Sequence, residues 1–533
     1  MKSHLKHILL AAVAMPMLTG CLDSALSTDY VTSDQIAESS LGGDALFWAM
    51  PATLNYVGTI PVSNQAYDFG YGSMMHIRDV MTEDMPKVNT AYEWYTAWMT
   101  NTGLGDYTSS AQLVWWYMNK MVLVTNNSIA YYKEHTNNYR LGSSYAFRAA
   151  MYLDLARMYE FLPNDGTKSV NSYGNNVEGL TVPIVTDETT QSEACNNPRV
   201  DRKTMYEFIL SDLDKAQELL ADGSSEGKTV PDLAVVYGLK ARLYMWVEDY
   251  ANARDAAAMA ISASGATPLT EEEWLSTSSG FNDLATSSWM WGAQQTAEDA
   301  SVQSCYYNWT SWMCNETTFG YCSYGTDVMI NAATYARMSD TDFRKLSYIA
   351  PTDGALSGKE PLVDESFRSK FDDYYSLKFR PGQGNYSDYT IGAVTAYPLM
   401  RVEEMYLIQA EAAAHINAAE GRRLINEFMT QYRDPNYSCT ATATDDVVEE
   451  IVFQKRVELW GEGQSFFDVK RLNMSVTRAY SGTNFTGNTL MNTNGRPAWM
   501  NFVILSWEGD NNAAVKQWNN PSPDNVYSIV EIQ

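Results

Sequence analysis

Two stretches of the sequence combine aromatic rings with hydrogen-bonding side chains. Residues 92–107 carry Tyr92, Trp94, Tyr95, Trp98, Asn101, Asp106 and Tyr107. Residues 305–314 carry Tyr306, Tyr307, Asn308, Trp309 and Trp312 between Cys305 and Cys314. A sugar ring has apolar C–H faces and polar edges. Aromatic side chains suit the faces, because they offer large rigid area at little rotamer cost. Asn, Asp, Gln and Arg suit the edges through hydrogen bonds. The candidate binding residues are Trp94, Trp98, Tyr306, Tyr307, Trp309 and Trp312, expected to line one outward surface, with Arg78 and Asp106 as polar candidates. The competing reading is that these rings pack the loops onto a core, as buried aromatics commonly do. Trp115 and Trp116 fall on an expected helix and are read as packing; Trp289 and Trp291 are read as holding a strand.

Other chemistries are poorly supplied. Beyond the N-terminal segment the histidines are His76, His135 and His415, none near another histidine or a cysteine pair at ligand spacing. That leaves no histidine-built zinc site and no triad. Carboxylate pairs such as Glu403 and Glu404 can drive glycoside hydrolysis at a suitable separation. Among 64 acidic residues, though, adjacency carries no information. With no nucleophile–base constellation, the chain reads as a binder, with no catalytic residue, metal or cofactor expected. Two of Cys305, Cys314 and Cys322 can form a bridge that stiffens the aromatic loop; three free thiols are the alternative.

Amphipathic helical periodicity dominates the segments that must position these loops. Helices are expected over about 110–134, 143–161, 202–220, 231–247, 250–262, 399–416, 420–432 and 445–460. Tyr145, Ala149 and Tyr152 have the spacing of Tyr237, Ala241 and Tyr244, and Tyr406, Ala410 and Ala413 echo it. Alternating large and small residues on one face lets helices pack closely. Tyr250, Ala253, Ala257 and Ala260 continue the small-residue stripe, giving the pattern of tetratricopeptide helix pairs. Residues 264–397 differ in texture, being rich in Gly, Ser, Thr, Asn, Tyr and Trp, with one short strand expected at 288–294. The fold class is therefore mainly α: a scaffold of tetratricopeptide-like helical pairs (about 110–263 and 398–460) with a large irregular loop-rich insertion containing short strands. The ligand-binding loops are expected at about 78–109 and 264–397, since long irregular segments often carry function.

The N-terminus has Lys2 and Lys6, a short apolar run over 8–18, and then Leu18-Thr19-Gly20-Cys21. This reads as a secretory signal over residues 1–20, with Cys21 acylated as the first residue of the body spanning 21–533. The formal charge is −27, and removal of the two lysines takes it to −29. So acidic a surface repels phosphate backbones and argues against nucleic acid as a partner.

Ordered blocks carry a family resemblance. They are YAFRAAMYLDLAR at 145–157 with VPIV at 182–185; PR at 198–199, MY at 205–206 and DLDKA at 212–216; RVEEMYLIQAEA at 401–412; and RVELWGEG at 456–463 with FD at 467–468 and KR at 470–471. DTDFR at 340–344 is also similar. Together with the lipoprotein start they resemble the SusD-like (SusD/RagB) family. The resemblance implies an outer-membrane lipoprotein facing the cell exterior, anchored through Cys21. It implies a partner, a SusC-like TonB-dependent barrel, and an oligosaccharide or polysaccharide ligand. Helical pairs would face the barrel and loops would bind ligand without catalysis, and the choice of the loops at 92–107 and 305–314 as candidates rests also on this resemblance. A peptide ligand, or a tetratricopeptide adaptor of envelope assembly, are the alternative functions.

Overall fold

The structure is a computed structural model that describes residues 42–60, 65–87 and 92–532. The expected signal segment and Cys21 lie outside them. The chain divides into two units, residues 1–45 and 46–533. Along the chain run α1 (Gly42–Thr53), α2 (Tyr71–Val80), α3 (Ser109–Glu134), α4 (Asn138–Tyr159), α5 (Arg202–Leu219), α6 (Leu233–Trp246) and α7 (Tyr250–Ser264). Then come β1 (Trp289–Gln294), the short α8 (Trp309–Met313), β2 (Ala396–Arg401), α9 (Val402–Ile416), α10 (Ala418–Tyr432), α11 (Thr444–Glu458) and α12 (Ser465–Arg471). No helix among the described residues is long and apolar enough to cross a membrane.

The helix starts follow from local side-chain chemistry. Thr108, Asn137, Asp201, Asp232 and Asp249 each accept a hydrogen bond from a first-turn amide of the helix that follows. Each such cap is worth about 1 kcal/mol. Pro231 precedes the cap Asp232 instead of opening the helical turn itself. The helices pack in series: α3 on α4, α4 on α5, α5 on α6, α6 on α7, α7 on α9, and α9 on α10 and α11. The stripe of small residues is what permits this. Ala149, Ala241, Ala253, Ala257, Ala260, Ala410 and Ala413 are all buried. Gly421 lets α10 meet α9 directly, since a Cβ there would lie 2.3 Å from the Ala414 Cβ.

The helical array is continuous in space and interrupted in sequence. Between α7 and α9 the chain leaves through β1 and returns through β2, which pair antiparallel with Gln294 opposite Ala396. The expected strand is present, but Trp289 and Trp291 do not simply share a face, because the register slips between them. Residues 399–401 belong to β2, so the helix expected from 399 begins at Val402.

Buried ion pairs lock the insertion to the scaffold. Glu458 on α11 accepts from Arg344 of the insertion at 3.0 Å, from Arg401 of β2 at 3.2 Å, and from Arg433 after α10 at 2.8 Å. Lys378 donates to Glu462 at 2.7 Å and to the carbonyls of Glu458 and Trp460. Burial raises the cost of a charge there, but the guanidiniums of Arg433, Arg401 and Arg344 hold the Glu458 carboxyl far below its usual range.

Candidate functional site

The two aromatic loops do come together, and they do so in two tiers. The inner tier is closed to solvent. Trp98 and Trp312 are buried, as are Tyr95 and His76. Trp98 stands on the short helix Thr96–Thr100, which turns it edge-on to Tyr67 at 5.1 Å. Trp312 packs edge-on against Tyr95 at 4.9 Å, and its indole N–H donates to the Ala66 carbonyl. The Lys87 ammonium sits 4.8 Å from the Trp312 ring and pairs with Glu93 at 2.8 Å. Burial, with the Lys87 charge beside it, pushes His76 well below the usual imidazole range. Trp309 is also buried, stacked on Tyr397 at 4.9 Å. The expectation that Trp98, Trp309 and Trp312 present faces outward is therefore corrected: α8, capped by Asn308, lies between two layers and both its tryptophans point into packing.

Arg78 is corrected in the same way. It is fully buried on α2 and binds Asp154 at 2.8 Å. Asp154 also receives Arg157 and the Tyr71 hydroxyl. Burial opposes ionisation of Asp154, but Arg78 and Arg157 hold it at about 2. Arg78 is thus spent on the junction of α2 and α4.

The outer tier is open. Tyr92, Trp94, Tyr306 and Tyr324 are 53%, 38%, 37% and 49% exposed, and Tyr307 and Tyr321 are half-buried. Tyr92 lies 5.4 Å from Tyr324, and Tyr306 lies 5.5 Å from Tyr321 and 6.3 Å from Tyr324. Tyr321 is the link between tiers: it stacks on Trp312 at 4.4 Å and 13° below and meets Tyr306 above. A hydrogen bond to Tyr324, together with burial, pushes the Tyr306 phenol up to about 12. Of the candidates, then, Trp94, Tyr306 and Tyr307 reach this surface, and Tyr92, Tyr321 and Tyr324 join them. Tyr321 and Tyr324 were not among the candidates, although a signal was there: both rings sit in a polar turn between Gly320 and Gly325. Gly320 has φ +73°, and a Cβ on it would lie 2.7 Å from the Ser311 Cα, so glycine alone lets this turn close over α8.

Beside Tyr324 opens a cleft of about 450 Å³ whose walls include Asn315, Asp327, Phe367, Lys370 and Phe371. Phe367 and Phe371 stack at 5.4 Å, opposite in chemistry to the polar Asn315 and Asp327. Burial pushes the Asp327 carboxyl up to about 6, against the lowering effect of its own backbone amide and Lys87. Rings with mixed polar neighbours in a cleft of this size can hold a sugar-sized ligand by stacking and hydrogen bonds. Asp106 is elsewhere: half-buried, it lines a separate cleft of about 480 Å³ with Tyr107, Lys168 and Asn171. All five cysteines among the described residues are free, and Cys314 and Cys322 are buried thiols, so the bridge is not formed. No cluster of three or more His, Cys, Asp or Glu side chains placed to hold a metal ion occurs among the described residues.

Comparison with known proteins agrees with this architecture. A family model described as "SusD family" matches residues 351–525, and one described as "Starch-binding associating with outer membrane" matches residues 40–245. No curated relative matches the chain. A SusD-like carbohydrate binding protein from Bacteroides vulgatus superposes with a TM-score of 0.70 at 22% identity, covering 90% of this chain and 97% of the other. A SusD superfamily protein from Bacteroides thetaiotaomicron gives 0.67 at 17% identity, covering 92% and 100%. One from Bacteroides fragilis gives 0.63 at 18%, covering 90% and 99%. The chain belongs to the SusD-like family.

Proposed function

We propose that this chain is a cell-surface lipoprotein of the outer membrane that binds a glycan through its outer aromatic tier and delivers it to a SusC-like TonB-dependent barrel. One observation carries the binding reading: four exposed rings, Tyr92, Trp94, Tyr306 and Tyr324, rest on a buried aromatic layer beside a polar-edged cleft. Rings already fixed by the tier beneath lose little freedom on binding. One relative of the same fold is described as a carbohydrate binding protein, and one family model as starch-binding. The anchor at Cys21 and the barrel partner are supported by the sequence and the family. In this reading the helical pairs face the barrel and the chain binds without turnover.

Calorimetric titration with a panel of oligosaccharides, and peptides as a control, tests the proposal. A glycan should bind saturably and without cleavage. Tyr324→Ala and Tyr306→Ala should each weaken it about ten- to a hundred-fold, since a stacked ring contributes about 1–3 kcal/mol. Stable variants that bind the glycan as the parent does would move the site elsewhere, and saturable binding of peptides alone would replace the ligand class.

A further inference from the structure

A third cavity, of about 80 Å³, lies inside the helical scaffold, where the ends of α4 and α6 meet α12. It has an imbalance of charge. Around its Glu160 stand Arg202, Lys470 and Arg496, with Arg199 behind them. Glu160 is buried and both its oxygens are taken, one by Arg202 and the other by the Trp246 indole N–H at 2.9 Å. Lys470, Arg199 and Arg496 make no ion pair among the described residues, although Glu248 also lines the cavity and draws on Arg496 from a distance. Lys470, buried on α12, donates only to the carbonyls of Met158 and Glu160, at 2.9 and 2.8 Å. An ammonium has three protons, so one is left over. Arg199 is satisfied by carbonyls and an amide oxygen alone. Arg496 makes no ion pair among the described residues, and its Nε is buried without a partner.

Burial disfavours the charged form of Lys470, and Arg496, Arg202 and Arg199 add their repulsion, offset only by Glu160. Arg496 is shifted down too, by burial first and by repulsion from Arg202, against the pull of Glu160 and Glu248. Accumulated cations with spare donors cost free energy unless an anion neutralises them. The rest of the chain is acidic, at −27 overall, so this concentration of uncompensated positive charge is not a general property of the surface.

We propose that this cavity is a binding site for a small tetrahedral oxyanion, inorganic phosphate or sulfate, held by Lys470, Arg496 and Arg202. The volume exceeds the roughly 10–15 Å³ that one water requires, so an ion of a few heavy atoms fits. A guanidinium offers paired N–H donors to two oxygens of such an ion, and the ammonium offers a point charge. The apolar wall of Leu162, Met245 and Phe467 limits screening. Because the site joins α4, α6 and α12, its occupancy would stabilise the scaffold and leave the aromatic surface untouched.

The experiment is thermal unfolding of the full chain in phosphate, in sulfate and in chloride at matched ionic strength, with calorimetric titration of each ion. Phosphate, sulfate or both should raise the melting temperature by about 2–4 °C over chloride at saturation. Arg496→Gln, at a half-buried position outside every ion pair, should keep the fold and lower the affinity about tenfold. Equal melting in all three salts overturns the proposal. So does an oxyanion affinity unchanged in Arg496→Gln.

Discussion

At the scale of single residues, the two aromatic tiers should separate cleanly by experiment. Trp312 is enclosed by Tyr95, Tyr321 and Lys87, so Trp312→Ala should cost about 3–5 kcal/mol in chemical denaturation. Tyr324→Ala, nearly half exposed, should move stability by less than about 1 kcal/mol. Asp327 gives a pH signature. Its folded-state value near 6 stands above the ordinary 3.8, so the fold favours the protonated form. That stability is fully present below pH 3.8 and is lost as pH rises through 6, amounting to roughly 3 kcal/mol. Asp327→Asn should flatten this window and melt higher than the parent at pH 7.5; equal pH profiles for the two proteins would refute the assignment. Aromatic content pointed to two loops that do come together. It could not sort the rings, because Trp94 and Trp98 stand four apart in one run and only the turn Thr96–Thr100 decides which of them faces inward. Arg78 was misplaced for a related reason: its partner Asp154 is far away in sequence.

At the scale of elements, helix boundaries were legible because their signals are local. The caps Asp201 and Asp249 adjoin the helices they start, and the alanine stripe repeats at helical spacing. The start of α9 was not legible, since the hydrogen bonds that make 396–401 a strand come from residues 289–294. The ion cluster at Glu458 was invisible for the same reason, as it draws on β2, α11, the segment after α10 and the insertion. Glu458→Gln leaves three buried guanidiniums short of an anion and should cost about 3–5 kcal/mol by equilibrium denaturation. Because the folded-state carboxyl is held far below its ordinary value, its contribution is present above about pH 4.5 and fades as pH falls. The parent and the variant should therefore converge in stability in acid; a gap that stays constant from pH 7 to pH 3 would show that Glu458 acts through packing alone.

At the scale of the whole molecule, the proposed anchor and partner are separable. Cys21→Ala expressed without a barrel should leave the membrane fraction and appear in soluble fractions. The parent, extracted in mild detergent from cells that carry the neighbouring barrel, should bring that barrel with it, because lids of this family are expected to bury more than about 2,000 Å². Retention of Cys21→Ala on membranes that lack the barrel would defeat the lipid-anchor assignment.

The ribbon of β1 and β2 has a further consequence. Its paired ends, Gln294 and Ala396, set the departure and return of about a hundred intervening residues side by side. Replacement of that segment changes no helix–helix neighbour in the scaffold, because α7 already rests on α9 without it. The segment can therefore diverge at its own rate provided that it keeps its anchoring contacts, among them Arg344 and Lys378 on α11 and its following turn, Arg337 on Glu449, and Trp312 on Tyr95. Rewriting one insertion in this way alters the outer surface while the frame is inherited intact.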